Sequence, residues 1–186
     1  QEVVALVEAY GQGDVYLVGH SYGGAVAMYA SHYLPRSTVV MVDTPLHLVT
    51  EHHTPSNKSY RKHCYASKEE AISHFKPIPN QPIQNKILFD YIASQSIKET
   101  KNGFTWQFDP SFHRREVSEV SQDIMIKQAK GMYYWYGEYS PFATESTLNK
   151  ANMIGLNLKM IPQAYHAVMI DAPDEVIKAL NEVTSD

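Results

Sequence analysis

The stretch Val15-Tyr16-Leu17-Val18-Gly19-His20-Ser21-Tyr22-Gly23-Gly24 constrains this chain more than any other, because it sets one serine between a strand and a helix. Val15 to Val18 is a short apolar run, which reads as a strand buried on both faces, and Ala25 to Tyr33 reads as a helix rich in small residues. Between them, Gly19 to Gly23 matches the pattern G-x-S-x-G. A turn that tight forces the serine into a strained backbone conformation, and the glycines on either side of it give helix and neighbouring strand room to approach. The hydroxyl then stands at the C-terminal end of the strand, with the N–H groups of a helix N-terminus aimed at the same space. The competing reading is a glycine-rich turn whose serine only caps the helix.

The rest of the chain narrows what such a serine serves. A length of 186 residues suits one domain, or one domain carrying an insertion. A hydrophobic fraction of 44% with 19% charged residues belongs to a packed globular protein. A net charge of -4 without a basic run argues against nucleic acid or an anionic membrane as the main partner, which leaves a small-molecule substrate. The lone cysteine, Cys64, cannot form an internal disulfide, so a cytoplasmic location is expected. No apolar run reaches the ~18 residues of a membrane-spanning helix, and the N-terminus lacks the basic-then-apolar order of a signal peptide.

Along the chain, Glu2 to Tyr10 has the apolar spacing of an amphipathic helix that starts without a cap, and Gly11 to Asp14 breaks it. Thr38 to Val42 is a second buried strand ending at Asp43, so strand, helix and strand form a parallel βαβ unit. From Pro45 to about Lys130 this alternation stops. That region holds most of the prolines and histidines and reads as helical pieces. Ser67 and Glu70 have capping-box spacing for a helix through Phe75, and a second apolar pattern covers Ile83 to Ile97. Residues 45–130 are therefore expected to be an inserted helical cap, and residues 1–44 with 131–186 the α/β core. Alternation resumes with an aromatic strand, Gly131 to Tyr136, then a helix over Thr144 to Asn152 and a strand over Asn157 to Ile161. Pro173 suits the first turn of a last helix, Asp174 to Val183, with Val176, Ile177, Leu180 and Val183 expected to face the sheet.

Two segments, Val18-Gly19-His20-Ser21-Tyr22-Gly23-Gly24 and Tyr165-His166-Ala167-Val168-Met169-Ile170-Asp171-Ala172-Pro173, sit in a recognisable order of parts. Together with Trp106-Gln107-Phe108-Asp109-Pro110, which looks like a cap segment, they resemble the C-terminal two-thirds of the α/β-hydrolase superfamily, in particular its cap-bearing serine hydrolases. The resemblance implies a parallel sheet flanked by helices with an inserted cap. In the family the elbow strand is the fifth of eight, so four strands and the loop carrying the second oxyanion donor are expected ahead of Gln1.

The resemblance also assigns roles. Ser21 matches the nucleophile and His166 the general base, since a serine hydroxyl is un-ionised at neutral pH and needs a base to attack. The backbone N–H of Tyr22 matches one oxyanion-hole donor. The acid departs from the commoner pattern: where many relatives have Gly-x-x-Asp after the penultimate strand, this chain has Ser140. Asp43 ends the preceding strand of the sheet, a place from which some members supply the acid, and adjacent strands ~5 Å apart bring it within reach. A strand-ending Asp also caps a following turn, and Glu138 and Asp109 are the other carboxylates to weigh. His20, inside the elbow, reads as a packing or hydrogen-bonding residue. His47, His52, His53, His63 and His74 lack zinc-site spacing, so no metal is expected, and no cofactor.

The reading is a serine hydrolase that cleaves an ester-type acyl bond through an acyl-enzyme. Carbon–carbon bond hydrolysis with the same residues, and a non-catalytic binding or signalling member suggested by Ser140, are the alternatives.

Overall fold

The computed structural model describes residues 1–47, 63–108 and 122–185, and the labels below number the described elements. The chain divides into two compact units, Gln1–His53 with Ser118–Asp186, and Thr54–Val117.

The first unit carries α1 (Glu2–Tyr10), β1 (Val15–His20), α2 (Tyr22–Ser31) and β2 (Ser37–Val42). The second contributes α3 (Lys68–Ser73), α4 (Lys86–Gln95), β3 (Ile97–Thr100) and β4 (Gly103–Trp106). The first unit resumes with α5 (Gln122–Gln128), β5 (Tyr133–Gly137), α6 (Glu145–Met153), β6 (Asn157–Ile161), α7 (Val168–Asp171) and α8 (Pro173–Thr184). Its four strands form a parallel sheet in the order β1-β2-β5-β6.

Alternation along the strands splits the core into two layers. Val39, Met41 and Tyr134 pack with Ala25 and Met28 of α2 on one face. Val40, Val42 and Trp135 pack with Ile161, Val168 and the Val176 and Ala179 face of α8 on the other. The central strands β2 and β5 are covered on both sides, which is why they read as unbroken apolar runs.

Two expectations need correction here. Val18 is 47% exposed rather than buried. Its strand pairs only with β2 among the described strands, and the layer over Val40 and Val42 does not extend one strand further to cover it. On α8, Val176 and Ala179 are buried with Leu180 and Val183 packed beside them, while Ile177 is 55% exposed. The buried residues follow i, i+3, i+4, i+7, and position 177 lies about 100° off that stripe.

The second unit is not helices alone. Its expected capping box is present: Ser67 Oγ accepts from the Glu70 N–H at 3.0 Å, and the Glu70 carboxylate accepts from the Ala66 N–H at 2.8 Å. Asn85 caps α4 through the Leu88 N–H at 3.1 Å. β3 and β4, however, form an antiparallel hairpin where a helical cap was expected to contain no strands. The signal was the turn dipeptide Asn102-Gly103 between Ile97-Lys98-Glu99-Thr100 and Phe104-Thr105-Trp106; Lys101 and Asn102 make the two-residue turn, and Gly103, paired with Thr100, takes a φ of +109°. Phe75, Phe89, Trp106 and Tyr65 join by ring contacts of 5.0 to 5.9 Å. Tyr91 and Phe108 remain exposed, and Phe112 lies outside the described residues. Among the described residues no helix is long and apolar enough to cross a membrane.

Candidate active site

Ser21 occupies the junction of β1 and α2 with φ 52° and ψ -121°, the strained conformation expected of the turn. Its N–H donates to the Val42 carbonyl at 2.9 Å, tying the turn to β2. Its side chain makes no capping bond to α2, so the helix-cap reading of this serine does not hold. The close approach that shapes the elbow rests on Gly19, as expected, and on Gly24 in place of Gly23. A Cβ at Gly19 would lie 2.1 Å from the Gly23 carbonyl oxygen, and one at Gly24 would lie 1.9 Å from Thr44 Oγ1. A Cβ at Gly23 would meet nothing within 4 Å.

His166 lies on the loop after β6, buried to 3% exposure. That loop is drawn onto the end of β5: the Tyr139 N–H donates to the Ala164 carbonyl at 2.9 Å. Gly137 lets it come so near, because a Cβ there would sit 2.3 Å from the Tyr165 oxygen. His166 Nε2 is 3.0 Å from Ser21 Oγ, and Nδ1 is 2.6 Å from Asp43 Oδ2. The ring also meets Phe142 edge-on at 4.7 Å.

Asp43 ends β2 with φ 48° and is fully buried. Its carboxylate accepts from three groups. Besides His166, the Gly137 N–H donates to Oδ1 at 3.2 Å and the Ser140 hydroxyl donates to Oδ2 at 2.6 Å. A buried carboxylate demands such donors, since desolvation penalises an unpaired charge heavily. Glu138 is elsewhere: it is exposed, and its Oε2 accepts from the Gln163 N–H at 2.8 Å. Asp109 lies outside the described residues, with the end of its Trp106–Pro110 segment, and so do His52 and His53. Among the described residues no three His, Cys, Asp or Glu side chains converge as a metal site would require.

His20 stands beside this group. Its Nε2–H donates to the His166 carbonyl at 2.7 Å, and the two rings lie 4.6 Å apart. Burial, followed by the neighbouring His166, holds the His20 imidazole below its usual pKa, which favours the neutral form. The sequence reading missed Gly137, Phe142 and above all Ser140, which it took only as the absence of an acid. Each acts through a contact between segments far apart in the chain, which the Gly-x-x-Asp spacing at Gly137 and Ser140 does not reveal.

A parallel sheet covered by helices, with a serine on a strand-to-helix elbow, a carboxylate ending the next strand and a histidine after the last, defines an α/β protein of the hydrolase class. The chain belongs to the alpha/beta hydrolase family, whose model matches residues 1–179. Among solved structures it is similar to E-2-(acetamidomethylene)succinate hydrolase, at 16% identity and a TM-score of 0.73, with 100% of this chain aligned to 72% of that one. It is also similar to the thioesterase domain from the curacin biosynthetic pathway, at 16% identity and a TM-score of 0.69, covering 98% of this chain and 71% of that one. An esterase from Mycobacterium tuberculosis aligns with 100% of this chain over 66% of its own length, at 16% identity and a TM-score of 0.69. These identities bear on the fold. No curated protein sequence matches.

Proposed function

We propose that this chain is a serine hydrolase that cleaves an ester-type acyl bond of a small molecule, with Ser21 as nucleophile, His166 as general base and Asp43 as the acid that orients it. The observation that carries this reading is the unbroken chain of hydrogen bonds from Ser21 Oγ through the two nitrogens of His166 to Asp43, at 3.0 and 2.6 Å. With Nδ1–H held by the carboxylate, Nε2 presents its lone pair to the serine hydroxyl. On attack, Oγ bonds to the acyl carbon and its proton passes to Nε2; the buried Asp43 charge stabilises the imidazolium that results. The proton then goes to the departing alkoxide, leaving an acyl-serine, and water activated by the same imidazole releases the acid. The Tyr22 N–H at the start of α2 is the oxyanion donor in this scheme.

The non-catalytic alternative drew on Ser140 standing where an acid is commonly found. A carboxylate lies on the imidazole nonetheless, supplied from β2. Use of the segment around residues 45–130 as a cap that selects the acyl group, a small-molecule substrate without nucleic acid or membrane partner, and a cytoplasmic setting suited to the free, exposed Cys64 belong to the same proposal. Labelling by a fluorophosphonate probe tests it. Wild type is expected to react covalently and Ser21→Ala not at all; absence of labelling in wild type, or equal labelling of the variant, refutes the nucleophile.

A further inference from the structure

Asp43 is a buried carboxylate whose direction is not set by its own backbone alone. It sits at φ 48° in the left-handed region, and rotation about the Cβ–Cγ bond of an aspartate is broad rather than confined to one narrow well. Something must hold the carboxylate plane so that one oxygen stays on His166 Nδ1. The loop after β5 does this from two sides. The Ser140 N–H donates to the Gly137 carbonyl at 3.0 Å, closing a turn. That turn brings the Gly137 N–H onto Oδ1 and the Ser140 hydroxyl onto Oδ2. The hydroxyl is itself oriented: Ser140 Oγ accepts from the Phe142 N–H at 3.1 Å, which occupies a lone pair and leaves the hydroxyl hydrogen to point at the carboxylate. Phe142 in turn packs its ring against His166. One short loop thus grips both the acid and the base.

We propose that Ser140 is a positioning residue, whose hydroxyl, fixed by the Phe142 N–H, holds the Asp43 carboxylate on the His166 ring. This rests on the reading of Ser21, His166 and Asp43 given above. The side chain contacts the acid and touches none of the reacting atoms. Removing its donor frees Asp43 to turn toward the Gly137 N–H and lengthens the bond to Nδ1, so the imidazole loses orientation while its lone pair remains.

The test compares second-order rates of fluorophosphonate labelling at Ser21 with the low-field proton resonance of His166 Nδ1–H, which reports the bond to Asp43 directly. Asp43→Asn is expected to label about 10⁴-fold more slowly, on the scale of a disabled triad aspartate, and to lose the resonance. Ser140→Ala is expected to label roughly 10- to 100-fold more slowly, the scale of one hydrogen bond to a charged group, with the resonance shifted and the circular dichroism spectrum unchanged. Ser140→Thr, which keeps the hydroxyl, is expected to restore most of the rate. Should the alanine variant fail to fold, Ser140→Cys decides, since it keeps the shape and weakens the donor. Wild-type labelling and an unmoved resonance in Ser140→Ala or Ser140→Cys, beside a slow Asp43→Asn, overturn the role of Ser140 alone. Wild-type labelling in Asp43→Asn overturns the underlying assignment of the acid.

Discussion

At the scale of single residues, the group around Ser21 is defined by side chains that share partners. His166 lies between Ser21 and Asp43 through its two nitrogens, and its carbonyl takes the proton of His20. A proton on His20, part-buried beside the His166 ring, is disfavoured. Burial and His166 both depress the His20 pKa below its ordinary 6.5. Above that value His20 is neutral in the folded and unfolded chain alike, and its full contribution is present. As pH falls below it, the unfolded chain takes up a proton that the folded chain resists, so stability drops until the folded-state pKa is passed. The melting temperature of His20→Gln is therefore expected to fall less than that of wild type between about pH 7.5 and about pH 5.5. Parallel melting curves in the two proteins would show that His20 carries no such linkage.

At the scale of elements, the elbow is shaped by a contact that the motif does not contain. Gly24 lies against Thr44, a fully buried residue one position beyond Asp43, so helix α2 can approach β2 only without a side chain at that place. Gly24→Ala should overpack this contact and cost about 1–3 kcal/mol, a fall in melting temperature of roughly 2–12 °C for a chain of this size. Gly23→Ala has open space around its Cβ and replaces a poor helix former by the best one, so it should be neutral or raise the melting temperature. Equal losses from the two substitutions would contradict the assignment of the close approach to Gly24. The hairpin of the second unit carries a related lesson. Asn102-Gly103 marked a turn in the sequence, but Ile97 also continued the apolar spacing of the helix before it, and the helical period hid the change to strand.

At the scale of the molecule, the sheet of the first unit is protected most at its middle. β2 hydrogen-bonds to strands on both sides and is covered by both helical layers, whereas most of β6 is exposed and pairs only with β5 among the described strands. Lys159 of β6 meets Glu182 of α8 as an ion pair at the surface, a contact of small consequence for stability. Hydrogen exchange followed by mass spectrometry should find the slowest amides in Val40–Val42 and Tyr134–Trp135, with Leu158–Met160 exchanging faster. Comparable protection across all four strands would count against this ranking.

Features written in a few consecutive residues were legible without coordinates. The strand, turn and helix around Ser21, the cap at Ser67, the apolar runs of β2 and β5, and the placing of His166 after the last strand each follow from spacing of short range. That is because backbone sterics, helix period and strand alternation act between neighbours in sequence. The groups that meet the His166 ring could not be read in this way. Asp43 and His166 stand 123 positions apart, and Asp43 and Ser140 97 apart. Their meeting depends on β2 pairing with β5, on β5 pairing with β6, and on Gly137 admitting the loop that carries the histidine. Only the folded sheet brings those three strand ends to one point, where the Ser140 hydroxyl and His166 Nδ1 both meet the Asp43 carboxylate.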